Sequence, residues 1–296
     1  MSAQRSTRSG IVMGLSAYAM WGLLPLYLHQ LHPLGAVTIL SHRILWSLLL
    51  IGLLAIVARR GPALLAAARN PKLIATLAIS ATLIGLNWLV YVYAVNSGHT
   101  VQASLGYFIN PLVNVLLAVL FLRERLGRIE WAAVGLAVIG VLVLAIGKGA
   151  SPVLSLVLAL TFGLYGLVRK LAPVESLEGL LIETALLAPL ALAWLAFHEG
   201  FAMPADGPSL PMIAASGVVT AVPLMLFAAA AKRTRYSELG LLQYVAPTLQ
   251  LCCAVLVFGE PLLPIHFVAF AFIWSGLAVY AIATWHKGRV RPMAPE

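Results

Sequence analysis

Charge is scarce in this chain. Asp, Glu, Lys and Arg make up 10% of its 296 residues, against about a quarter in a soluble globule. With 61% hydrophobic residues and a mean hydropathy of +0.97, a water-soluble domain is excluded. A disordered chain is excluded as well, because disorder needs low hydrophobicity and high charge. Cysteine is scarcer still: Cys252 and Cys253 are the only two, adjacent inside an apolar run. They can build neither a disulfide framework nor a C-x-x-C metal site, and they read as small buried hydrophobes. Acidic residues number 10 against 19 basic ones. The basic residues form short clusters between apolar runs rather than a face or stripe, which argues against nucleic acid as a partner. A G-x-x-x-x-G-K-[ST] loop is missing, so ATP bound to this chain drives nothing and no ATPase subunit is implied. Without H-E-x-x-H, a Cys/His cluster or G-x-S-x-G, an intramembrane hydrolase would lack its parts. The expectation is a non-enzyme that needs no metal and no cofactor.

What is abundant is long apolar runs. A helix needs about 20 residues to cross a hydrocarbon core of roughly 30 Å. Such runs lie near 10–29, 34–58, 73–95, 100–122, 129–147, 152–171, 177–197, 210–231, 236–258 and 263–286, ten in all. The alternation of barrel strands is not present. The first run is too long for a signal-peptide core and lacks a small-x-small cleavage site, so it reads as a retained span. The termini read as short, with no attached soluble domain. Placing the N-terminus in the cytoplasm puts 17 of the 19 Lys and Arg in inside segments and only Lys148 outside, with Arg43 inside a span. Both termini are therefore expected on the cytoplasmic side.

The chain also repeats itself. At an offset of 136, residues 104–145 align without a gap on 240–281, pairing Pro111 with Pro247, Ala118-Val119-Leu120 with Ala254-Val255-Leu256, Glu124 with Glu260, and Gly140 with Gly276. Trp21-Gly22 against Phe162-Gly163 is a weaker echo of the same division. Spans 4 and 5 then correspond to spans 9 and 10, and the chain is two five-helix halves. Because five is odd, the second half must enter the membrane from the opposite side. Inverted repeats of this kind are common in secondary transporters, with the ligand site between halves near the midplane.

Polar residues inside the spans cost free energy and need a reason. Arg43 lies about nine residues into span 2, and Glu183 about six into span 7 from the other side, a depth difference of about 8 Å at 1.5 Å per residue. They read as a structural ion pair, as separate caps of backbone carbonyls, or as an ion-coupling pair, with Arg43 alternatively anchoring a substrate carboxylate; their contact is left open. His42, next in sequence, points to another face and reads as a second titrating group or a hydrogen-bonded helix residue. Span 3 carries Ser80, Asn87 and Tyr91 close to one face. Span 4 carries Tyr107, Asn110 and Asn114 beside Pro111, and the repeat mates in span 9 are Gln243, Ala246 and Gln250 beside Pro247. Two readings stand: amide side chains bonding helix to helix, or lining of a central cavity, toward which the prolines free carbonyls. Trp21 and Tyr18 in span 1, Tyr165 in span 6, and Thr220 and Phe227 in span 8 would add an aromatic wall suited to flat, amphipathic solutes. Tyr27, Trp131, Trp194 and Trp285 read as interface anchors.

The stretches 40–47 (LSHRILWS), 85–88 (GLNW), 104–112 (SLGYFINPL), 165–170 (YGLVRK), 182–184 (IET), 243–248 (QYVAPT) and 271–274 (AFIW) resemble the RarD group of the EamA family of drug/metabolite transporters. The resemblance runs through nearly the whole chain in order. It implies an all-α membrane protein with ten transmembrane helices in two EamA repeats, 1–149 and 150–296, N-in and C-in. It further implies a bacterial inner-membrane permease for small metabolites or drugs, usually an exporter.

The resulting expectation is a secondary carrier working by alternating access, with proton coupling suggested by Glu183 alone. Its expected site is lined by Asn87, Tyr91, Tyr107, Asn110, Asn114, Gln243, Tyr244 and Gln250, closed by Trp21 and Tyr165. The expected partners are a small-molecule substrate and the lipid bilayer, with the chain a monomer or a homodimer. A non-transporting scaffold or receptor subunit, or a channel, is the alternative.

Overall fold

The computed structural model describes residues 2–122, 127–146, 152–199, 207–233 and 242–290, and among them every regular element is helical. In chain order these are α1 (Ser2–His29), α2 (Ala36–Val57), α3 (Gly61–Ala68), α4 (Pro71–Asn96), α5 (Thr100–Leu122), α6 (Arg128–Ile146), α7 (Pro152–Leu171), α8 (Ser176–Trp194), α9 (Leu210–Arg233), α10 (Val245–Cys252) and α11 (Pro264–Val290). Short π-helical turns extend α8 over Leu195–Glu199 and α10 over Cys253–Val257.

Seven of these helices are long and apolar enough to cross a membrane, and Trp131–Gly140, Val245–Val257 and Pro264–Gly276 are shorter apolar stretches. Together with their exposed aliphatic side chains, such as Leu53, Leu120, Leu190 and Leu256, this is the pattern of an all-helical, multi-pass membrane protein, whose outer surface faces lipid rather than water. Most helix ends fall within a few residues of the apolar-run boundaries, because hydropathy and helix length answer to the same bilayer thickness, but α1 begins at Ser2, eight residues before its run, and α10 at Val245, well inside the 236–258 run, of which 236–241 lie outside the described residues. The eight-residue α3 was not expected. Its Pro62 fits the first helical turn, where a missing N–H costs nothing, and only Ala67 is buried. It is too short to span, and it joins α2 to α4 between Arg59-Arg60 and Arg69.

Helix packing follows a regular scheme. Helix α1 packs on α9 and α10, and α7 packs on α4 and α5; α2 packs on α8 and α9, and α8 on α4; α6 packs on α11, and α5 on α10. Glycines set the closest seams. A Cβ on Gly22 of α1 would come within 2.6 Å of the Leu249 Cβ on α10, and one on Gly163 of α7 within 2.8 Å of Val113 Cγ1 on α5. Gly106 of α5 meets the Ser155 carbonyl oxygen of α7 at 2.7 Å in the same sense. Only glycine lets these backbones approach so closely, which is how helices gain contact in lipid. Buried clusters then fill the spaces between, one around Phe108, Leu112 and Phe270 and another around Leu28, Ile39, Val92 and Leu158.

Candidate functional site

A narrow cavity of about 50 Å³ lies where α1, α2, α4, α5, α7, α9 and α10 converge. The first part of the chain contributes Tyr18, Trp21, Leu24, Arg43, Asn87, Trp88, Tyr91 and Tyr107 to the wall; the second contributes Phe162, Leu224, Gln243, Ala246, Pro247 and Gln250. Aromatic rings form most of one side. Trp21 meets Tyr18, Phe162 and Phe227 edge-on or tilted, with centroids 5.6–6.3 Å apart. Tyr107 meets Tyr91 and Phe162 at 5.6 and 5.9 Å. Such offset geometries suit the ring quadrupoles.

The polar groups of the wall are held by specific bonds. The Asn87 amide nitrogen donates to the Leu158 carbonyl at 3.0 Å and to Thr161 Oγ1 at 2.9 Å, so α4 is tied to α7; its Oδ1 accepts from the Tyr107 hydroxyl at 2.9 Å, which adds α5. Gln250 Nε2 donates to the Trp21 carbonyl at 3.1 Å, joining α10 to α1. Arg43 is 2% exposed. Its Nε donates to Thr220 Oγ1 at 3.0 Å, and its guanidinium carbon lies 5.5 Å from the centroid of the Trp88 ring.

The expected lining divides. Trp21, Asn87, Tyr91, Tyr107, Gln243 and Gln250 come together on the cavity wall, with Arg43 and Pro247. Asn110, Asn114, Tyr165, Tyr244 and Pro111 are not among the lining residues. Asn110 is fully buried beyond the wall, Asn114 presents its Oδ1 to Gly163, Tyr165 packs on Phe162 at 6.0 Å, and Tyr244 stacks on Phe108 at 6.4 Å. Pro111 lies within a helix that runs unbroken through it, whereas Pro247 sits in the first turn of α10, directly after the Gln243-Tyr244 turn. The two positions are therefore not equivalent toward the cavity. His42 is half-buried and does not line it.

Known proteins of similar sequence agree in character. The model of the EamA-like transporter family matches residues 8–146 and again 150–282. The chain belongs to the EamA-like transporter family. An uncharacterized transporter of Pseudomonas aeruginosa is 48% identical over 98% of this chain and 99% of its own length. Protein RarD of Streptomyces exfoliatus is 44% identical over 98% of this chain and 95% of its own. A solved crystal structure of a protein with 21% identity shares the fold at a TM-score of 0.64, covering 93% of this chain and 98% of that one.

In this EamA-like transporter the ion pair offered as one reading of Arg43 and Glu183 is not formed. Glu183, 1% exposed, accepts a hydrogen bond from Ser80 Oγ at 2.6 Å and faces Arg169 Nη1 at 3.6 Å. Arg169 is in the last turn of α7, and its long side chain reaches back along the helix to the carboxylate. The guanidinium lies against Gly179, where any Cβ would collide with it. Arg60 and the buried Glu178 form a second ion pair nearby on the α3 and α8 side, and the carboxylate pushes the Arg60 pKa further up. Both pairs therefore belong to the end of α8 that carries its N-terminus. Glu260 is a functional-looking acid that the sequence reading paired with Glu124 but gave no role. Its two oxygens each accept a backbone N–H, from Thr100 and Val101 at 2.9 Å, and so cap α5. Tyr27 and Trp194, expected as interface anchors, bond across helices, to the Met212 carbonyl at 2.7 Å and to Thr38 Oγ1 at 3.1 Å.

Proposed function

We propose that this protein is a secondary carrier that exports a small organic metabolite or drug across the bacterial inner membrane by alternating access. In this reading ten spans form two inverted five-helix halves, 1–149 and 150–296, with both termini in the cytoplasm. The observation that carries it is a buried cavity whose wall draws aromatic and amide side chains from both halves. The packing scheme supports the inverted repeat. Exchanging α1 with α7, α2 with α8, α4 with α9, α5 with α10 and α6 with α11 turns each of the helix contacts named above into itself or another of them. The two glycine seams, Gly22 on Leu249 and Gly163 on Val113, exchange in the same way. Two pseudo-equivalent arrangements of the same contacts are what a carrier needs to expose one site to each side in turn.

The Arg169–Glu183 and Arg60–Glu178 pairs, at one end of the bundle, are the ionisable groups that opening at that end would disturb. Proton exchange through Glu183 is part of the proposal. The chain acts as a monomer or homodimer in the bilayer, on a small-molecule substrate.

Metabolite profiling of cells with and without the gene supplies a substrate, and counterflow in proteoliposomes then tests the mechanism. Saturable counterflow is expected; conductance without saturation would indicate a channel. Undiminished function after Asn110→Leu with Gln250→Leu would indicate a scaffold. Glu183→Gln counterflow as fast as wild type without a pH gradient would reject obligatory coupling through that carboxylate.

A further inference from the structure

Arg43 carries a full charge into the middle of the bundle with little to balance it. Among the described residues no carboxylate pairs with it: Glu183 is committed to Arg169 and Ser80, Glu178 to Arg60, and Glu260 to the backbone of α5. Its Nε is bonded to Thr220 and its face lies over Trp88, but Nη1 is buried without a hydrogen-bond partner among the described residues. A hydroxyl and a ring face are weak compensation for a buried guanidinium, whose planar fork is shaped for a carboxylate or phosphate.

Two further atoms of the same cavity wall are in the same condition. The Tyr91 hydroxyl and Gln250 Oε1 are buried with no partner among the described residues. The wall thus offers a cationic double donor, a hydroxyl and a lone amide acceptor, beside the rings of Trp21, Tyr107 and Phe162. We propose that the carried solute is an aromatic monocarboxylate with an N–H donor. Its carboxylate sits on Arg43 with the Tyr91 hydroxyl, its ring lies among the aromatic side chains, and its N–H reaches Gln250 Oε1. The anion completes the charge balance of the cavity, so the loaded carrier is neutral at its centre. This rests on the carrier reading of the same cavity and adds the class of its cargo. A dianion such as a phosphate monoester would leave net charge behind, which disfavours it.

The test uses the purified full-length protein in lipid nanodiscs and two near-isosteric probes, indole-3-acetate and indole-3-acetamide, titrated calorimetrically with and without chloride. The acid is expected to bind at least tenfold tighter than the amide. In Arg43→Gln that preference should vanish while affinity for the amide is kept, and Arg43→Lys should retain part of it. Should Arg43→Gln fail to fold, the comparison of the two probes on the wild-type protein still decides. Equal binding of acid and amide would overturn the proposal while leaving a carrier for neutral aromatics standing. Acid binding unaltered in Arg43→Gln would overturn it by placing the anion elsewhere. Abolition of acid binding by chloride, with chloride alone stabilising the protein as well, would overturn it in favour of an inorganic anion. Binding of neither probe would overturn it too, and counterflow with the profiled substrate would then judge the carrier reading by itself.

Discussion

Replacing Arg169 with Met leaves the buried Glu183 carboxylate without its cation. Arg169 Nη1 and Glu183 Oε1 are 3.6 Å apart, and the carboxylate is 1% exposed against 16% for its partner. At an effective dielectric of 20, two unit charges at this distance attract by about 4–5 kcal/mol. The partial exposure of Arg169 screens some of that, and measured losses on breaking a buried pair run at about 3–5 kcal/mol, so about 3 kcal/mol is expected here. Ser80 softens the loss only slightly, because one hydroxyl already donates to Glu183 Oε1 while Oε2 has no partner. Removing both charges tells a different story. Arg169→Met with Glu183→Leu leaves no orphaned ion, so the double variant should lie within about 1 kcal/mol of wild type. Unfolding in mixed detergent micelles, followed by tryptophan fluorescence, measures all four corners of the cycle. A single Arg169→Met change costing under 1 kcal/mol, or a double variant worse than the sum of the singles, would refute the claim that the pair is a desolvated, mutually dependent unit.

Glu260→Ala should uncap α5, leaving the Thr100 and Val101 N–H groups without their charged acceptor. About 2 kcal/mol of stability is at stake, discounted for a half-exposed carboxylate, and faster amide exchange confined to residues 100–103 would reveal it. Gly22→Val and Gly163→Val should each overpack a helix seam by about 1–3 kcal/mol, read as lowered thermal midpoints. Gly52→Ala is the control: nothing lies within 4 Å of its Cβ position, so it should be neutral or mildly stabilising.

The spans were legible because bilayer thickness imposes itself on composition, and α1, α2, α4 and α7 begin or end close to where the apolar runs do. Other features escaped for physical reasons. The depth arithmetic brought Arg43 and Glu183 to comparable levels, but rise per residue carries no azimuth. Arg169 read as an inside flank by its position in the chain; nothing in that count says that its side chain turns back into the bundle. Helix α3 is too short and too Ala-rich to show a period. The repeat alignment did locate Glu260, through its match with Glu124, yet its job depends on a helix start some 160 positions away in sequence. Gln243 and Gln250 reach the cavity where their mates Tyr107 and Asn114 divide, one on the wall and one turned to Gly163. The first turn of α10 begins beside Pro247, whereas α5 passes straight through Pro111, so equal spacing did not produce equal facing.

Whether an intramembrane amide serves helix packing or a ligand cannot be decided from its position, because in this cavity one residue does both. Asn87 lines the wall, yet both of its donors are directed at α7 and its oxygen already accepts from Tyr107. An amide has two N–H donors and two lone pairs, so Asn87 retains at most one acceptor site and no free donor. Gln250 spends a donor on the Trp21 carbonyl but keeps its whole oxygen, and Tyr91 keeps its hydroxyl. Ligand-directed capacity is therefore found by subtraction, as what remains after the helices have bonded to one another. By that count the strongest remaining group in the cavity is the Arg43 cation, whose Nη1 has no partner among the described residues.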